Sequence, residues 1–152
     1  TLWQRVAGVW VNRSAHELSQ TKAAPGGGTL GGTETAQASI TVPPIAFPHR
    51  LRFQFCCNFS NVAATAGTVD THIRYNTTGG VAVVGDTMAR QARISLPATA
   101  GAQQGVFCAG SIDRAGAGGT TTVSAWALTS GMSVTIPNDA TLAQLEVWAV
   151  PL

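Results

Sequence analysis

Between Leu51 and Ser60 apolar and polar residues alternate without a break. Leu51, Phe53, Phe55, Cys57 and Phe59 share one parity, while Arg52, Gln54, Cys56, Asn58 and Ser60 share the other. Successive side chains of a strand point to opposite faces, so this stretch predicts a strand with one apolar side. On a helix the same five residues would scatter around the cylinder. Three phenylalanines on one face need a thick opposing layer, which predicts a second sheet packed on the first. A second clean alternation runs over Thr68–Asn76, where Val69, Thr71, Ile73 and Tyr75 interleave with Asp70, His72, Arg74 and Asn76.

The remaining chain is read around these two strands. Leu2–Val11 is apolar on both parities and reads as one strand that wants cover on both sides. Ser14 with Glu17 three residues on would cap a single helical turn. Pro25 to Gly28 and Gly31-Gly32 read as a flexible connection. Ala36–Val42 reads as an edge strand, ended by Pro43-Pro44. Gly79-Gly80 then turns the chain into Val81–Val84. Ala89–Leu96 follows with Ala92, Ile94 and Leu96 inward, then Gln103–Asp113, with Ala115–Gly119 as its hairpin tip. Thr120–Ser130, Met132–Ile136, a turn at Pro137-Asn138-Asp139 and Thr141–Val150 complete the pattern.

Short strands at regular intervals with Gly and Pro between them predict an all-β antiparallel β-sandwich, jelly-roll-like. Without an internal repeat, a propeller or β-helix is disfavoured. Residues 1–32 are an N-terminal strand and Gly-rich connection joined to a sandwich over 33–152, which at 152 residues suits one domain. The first and last strands carry Trp3, Trp10, Trp148 and Val150 on faces that a two-layer sandwich leaves outside. Another copy of the chain is the economical cover, so these four residues are candidate subunit contacts.

Composition narrows the function classes. Charged residues are only 11% against an apolar 45%, less than half the usual charged share of about 25%. Such a surface either meets other protein or is a Thr-rich β surface in water. Nine basic and seven acidic residues give +2, too little and too scattered for a nucleic-acid groove. No apolar run approaches the ~18 residues of a membrane span. The chain opens without Met or a signal peptide, as expected of a processed product or an excised piece of a longer one.

Candidate chemistry is sparse. There is no G-x-S-x-G elbow, and Gly26 to Gly32 lacks the Lys and Ser/Thr of a phosphate loop. Asp70 and His72 fall on one strand face within reach of a shared ligand or ion, although a hydrated polar face is the plain reading. Three copies of His72 about a three-fold axis would bind a metal; a solvated histidine is the default. Asp86, Asp113 and Asp139 sit beside turns, where Asp is an ordinary turn former. Cys56 and Cys57 point to opposite faces, where a bond between them would be strained; Cys57 and Cys108 both face inward and could meet, but three reduced thiols are the expectation. The glycosylation-type triplets at Asn12, Asn58 and Asn76 are assigned no role. No cofactor and no metal are expected.

The runs RLRFQFCCNFSNVAATAGTVDTHIRYN, RISLPATAGAQQGVFCAGSI, TTTVSAWALTSG and LAQLEVWAV resemble the C-terminal domains of siphophage minor tail and tail-fibre proteins, especially those of actinobacterial hosts. The likeness covers roughly residues 33–150 and is carried chiefly by NFSNVAA and QLEVWAV. It implies a jelly roll of the tumour-necrosis-factor and complement type, a homotrimer, and an exposed position on a virion assembled in the host cytoplasm. It brings no catalytic motif, so a non-enzymatic distal or receptor-binding head is expected, meeting other virion proteins and a host-surface glycan or protein. Asp70, His72, Arg74 and Asn76, the most polar strand face, are the candidate partner contacts. The alternatives are a capsid decoration or head-fibre protein and, behind it, a small polysaccharide depolymerase; alternation places no pair of carboxylates on one face for the latter. The Cys56-Cys57 pair departs from the usual pattern of small or polar residues.

Overall fold

The computed structural model describes residues 3–6, 9–12, 19–23, 28–116, 118–136 and 143–152. Their strands are β1 (Trp3–Val6), β2 (Val9–Asn12), β3 (Ser19–Ala23), β4 (Gly28–Leu30), β5 (Thr35–Val42), β6 (His49–Asn61), β7 (Gly67–Asn76), β8 (Thr87–Leu96), β9 (Gln103–Arg114), β10 (Thr121–Ser130), β11 (Val134–Ile136) and β12 (Ala143–Pro151). All described pairings are antiparallel. Among the described residues there is no helix, and so none long and apolar enough to cross a membrane.

Two sheets form the sandwich. The four-stranded sheet runs β5-β10-β7-β8. The six-stranded sheet runs β3-β12-β6-β11-β4, with β9 paired to the other side of β6. Leaving out the short β4 and β11 and the β1-β2 pair, the pairings nest inside one another: β3 with β12, β5 with β10, β6 with β9, β7 with β8. A long hairpin rolled up on itself gives this nesting, and it is the strand order of a jelly roll. The expected all-β antiparallel sandwich is the observed one.

The alternation of β6 is realised residue by residue. Leu51, Phe53, Phe55, Cys57 and Phe59 are buried, and the intervening residues are half-buried or exposed. They meet Val69 and Ile73 of β7 and Val123, Ala125 and Ala127 of β10 in one apolar cluster. Each buried phenylalanine contributes on the order of 2–3 kcal/mol, so β6 alone supplies much of the driving force. Gly110, across from Phe53, leaves room for its ring: a Cβ there would lie 2.8 Å from Phe53 Cε2.

Four readings of local pattern change. Within the apolar stretch 2–11 the described residues form two strands, β1 and β2, of a separate two-stranded sheet in which position 5 is in register with position 10. Parity cannot reveal a break where both faces are apolar. The glycine-rich connection contains β4, whose ladder partner β11 supplies the hydrogen bonds and whose Leu30 is buried. Residues 81–84 form no strand but an exposed loop, because Asp86 accepts from the Val83 amide (3.0 Å) and turns the chain. Residues 115–119 are no hairpin tip: β9 pairs with β6 in one sheet and β10 with β5 and β7 in the other, so this segment crosses between layers. There Gly116 passes so close to Phe47 that a Cβ would lie 2.6 Å from its Cα. The Ser14–Glu17 cap and the turn at 137–139 with Asp139 lie outside the described residues.

Candidate binding faces

Each sheet turns one face to the core and one outward. In β12, Leu145, Val147 and Ala149 are buried in the core, which sends Glu146, Trp148 and Val150 to the outer face. Register aligns Trp148 with Arg52 and Ser111, Val150 with Arg50 and Asp113, and Gln144 with Cys56 and Phe107. Phe107 is 63% exposed, and Trp148 and Val150 are half-buried. Trp148 and Val150 therefore share one outward surface, and Phe107, which sequence reasoning passed over, belongs to it. Its parity opposite Val106 and Cys108 was the available signal. The side chains of Trp3 and Trp10 lie outside the described residues.

Polar groups frame this surface. Arg50 donates to Asp113 through Nε (2.6 Å) and Nη2 (2.9 Å), and the pair holds the Asp113 carboxyl below its ordinary range. Both side chains are well hydrated, so the pair adds little to stability. Gln54 Nε2 donates to Glu146 Oε2 at 2.9 Å.

The outer face of the four-stranded sheet differs. Here β7 places Asp70, His72, Arg74 and Asn76 in a row, opposite Leu128, Trp126, Ser124 and Thr122 of β10. The row is not the open hydrated face that its composition predicts: Asp70 is 6% exposed and His72 8%. Glu34, from the connection between β4 and β5, reaches across to it. His72 Nδ1 donates to Glu34 Oε1 (2.6 Å), Arg74 Nε to the same oxygen (3.1 Å), and Arg74 Nη2 to Oε2 (3.1 Å). Burial pushes the Glu34 carboxyl up, but hydrogen bonds from Arg74 and His72 outweigh it and hold the group below its ordinary range.

Asp70 and His72 are engaged by different side chains. Asp70 is taken by Arg93 of β8 through Nε (2.5 Å) and Nη2 (2.8 Å), which holds its carboxyl low against the opposing effect of burial. Asn76 Nδ2 donates to Asp86 Oδ2 (3.1 Å), Arg74 Nη1 to the Asp86 carbonyl (3.0 Å), and Thr122 Oγ1 to the Gly80 carbonyl (3.0 Å). The 77–86 loop is thus tied down at its base while Val81 at its tip is 87% exposed. Beside His72, Trp126 is buried and its Nε1 donates to Ser124 Oγ at 2.8 Å. Among the described residues no three His, Cys, Asp or Glu side chains gather to hold a metal.

The cysteines are free. Burial, with Cys56 beside it, pushes the Cys57 thiol up to about 12, and burial also raises Cys108. Thiols so protonated pack as small apolar groups rather than act as nucleophiles.

The strand order and these two faces define a jelly-roll sandwich without an evident metal centre among its described residues. No protein-family model and no curated protein matches the chain. Among solved structures it is similar to Eiger TNF from S. frugiperda, at 8% identity over 84% of this chain and 94% of that one, with a TM-score of 0.38. It is also similar to a chain in a structure of infectious bursal disease virus, Gx strain, at 13% identity over 90% of this chain and 39% of that one, with a TM-score of 0.27. The jelly-roll class rests on the strand order, not on these superpositions.

Proposed function

We propose that the protein is a non-enzymatic virion module, the distal or receptor-binding head of a phage tail fibre, assembled as a homotrimer and exposed on the particle. Its partners are further copies of itself, other virion proteins and a host-surface glycan or protein. The observation that carries this reading is the outward set Phe107, Trp148 and Val150 on a sheet whose inner face is already filled. Covering it recovers several kcal/mol per copy at about 25 cal/mol per Å².

Association through faces rather than edges is favoured by the four-stranded sheet itself. Both of its edges are interrupted by β-bulges, at Gln37 in β5 and at Ala89 in β8, and β8 also carries Arg90 and Arg93. Bulges and charges are the usual protection against edge pairing. The polar row of β7 is assigned to the host side of the module.

Two measurements test the reading. Light scattering on the chromatographed protein is expected to give three times the subunit mass, and a stable monomer at micromolar concentration overturns the assembly. The domain is expected to adsorb to host cells or envelope fractions; adsorption to capsids alone overturns the receptor role in favour of a decoration protein.

A further inference from the structure

We propose that β9 is an edge through which two copies of the protein pair, antiparallel and about a two-fold axis, so that their six-stranded sheets run on into each other. This contact is additional to the trimer and does not rest on it.

An edge strand offers unpaired amides and carbonyls to any strand that approaches, and folded proteins blunt such edges with bulges, prolines, lysines or short length. The edges of the two sandwich sheets differ in this respect. β5 and β8 are broken by bulges, β3 has five residues and β4 three. β9 has 12 residues in unbroken register with β6 and contains neither proline nor lysine. Its two charges, Asp113 and Arg114, stand together at one end and leave 103–112 uncharged. Among the described residues its backbone bonds to β6 alone. β8 passes nearby in the other sheet, but no ladder joins the two, and Arg90 of β8 lies on the core side of β9, beside Gly110.

The side-chain pattern of β9 fits a second copy of itself. Directly opposed residues of an antiparallel pair share a face, so the outward Phe107 must oppose an odd-numbered residue of the second copy. The two such registers of greatest overlap set it opposite Ala109 or Ser111 of that copy. Both are small, and Gly105, the next outward residue on the strand, is smaller still. The ring, 63% exposed in the single copy, thus meets a flat surface that leaves it room. In these registers Asp113 opposes Gln103 or Gly105, and no like charges meet.

A two-fold contact uses each β9 edge once and then closes, whereas an uncharged edge left open invites aggregation. Exchanging water for edge hydrogen bonds yields a small net gain each. The pairing is therefore expected to form between micromolar and millimolar concentration. It leaves the outer face of the four-stranded sheet free.

Sedimentation equilibrium over a dilution series, with amide hydrogen exchange at both ends of the series, tests the proposal. The mass is expected to double as concentration rises, from three subunits to six where the trimer holds and from one to two where it does not. Alternate amides of 103–114 are expected to gain protection with it, because every second residue turns its N–H to the open edge. Phe107→Lys is expected to abolish the doubling over that range. Ser39→Lys, which places a lysine on the bulged β5, is expected to leave it unchanged. Should Phe107→Lys fail to fold, the wild-type series decides by itself. A constant mass, doubling without protection of these amides, doubling that survives Phe107→Lys, or growth past twofold overturns the proposal. Protection of the same amides only in the presence of capsids also overturns it, and assigns the edge to a capsid strand. A trimer that never doubles sinks this contact alone; a monomer that doubles sinks the trimer and leaves this contact standing.

Discussion

The outer faces of the two sheets are mismatched in opposite senses. On the six-stranded sheet an apolar Phe107 stands 63% exposed on the same outer face as the half-buried Trp148 and Val150. On the four-stranded sheet the polar groups Asp70, His72 and Glu34 are largely withdrawn from water. Hydration alone would arrange them the other way round. The apolar face lacks a cover, and the charged face already has one of its own in Glu34, Arg93 and the 77–86 loop. Polarity therefore does not tell which surface is available; the inventory of hydrogen-bond partners does.

The largest expected effect separates the two faces by stability. Glu34→Ala leaves Arg74 and His72 withdrawn from water without their anion, and breaking a buried pair in this way costs about 3–5 kcal/mol. Arg52→Ala, on the exposed face, is expected to stay within about 0.5 kcal/mol of the parent. Urea unfolding of both variants measures the gap. Equal midpoints would erase the distinction between a face held together internally and one that waits for cover.

Acid is expected to act on the same side. Glu34 and Asp70 both have carboxyl groups held below their ordinary range in the folded state. A depressed folded value gives stability that is fully present above the unfolded value, about 4, and lost as the pH falls through the folded one. Thermal midpoints should thus be level down to about pH 5 and fall below about pH 4. Asp70→Asn is expected to flatten that fall. Asp113 is also held low by Arg50, but in open water, so Asp113→Asn should leave the curve nearly as it was. A larger change from Asp113→Asn than from Asp70→Asn would reverse the assignment of the two faces.

How far the sequence reaches follows from the range of each interaction. The parity of β6 and β7 is written into neighbouring residues, so both strands and the residues facing inward were legible. So was the outward placement of Trp148 and Val150, two positions apart on β12. Glu34 was not, because its partner His72 lies 38 positions on and no local pattern joins them. The crossing at 115–119 was misread for a related reason: turn residues announce a change of direction without saying which sheet receives the next strand. The valines at 81–84 have strand composition, but the side-chain acceptor on Asp86 turns that backbone instead.

The smallest expected effect on the folded monomer is the most decisive for assembly. Phe107→Ser removes a ring that is mostly in water, so the isolated subunit should keep its unfolding midpoint within about 0.5 kcal/mol of the parent. In an assembly that covers this face, the same ring leaves water, and at about 25 cal/mol per Å² its loss costs about 2–3 kcal/mol per copy. The subunit dissociation constant should then rise by well over tenfold, read by light scattering across a dilution series. Glu34→Ala offers the reverse pairing, a large loss of stability with the association constant of the surviving folded protein unchanged. Were Phe107→Ser to leave the mass profile untouched, the apolar face would be an exposed surface and nothing more, and the contrast between the two sheets would lose its functional meaning.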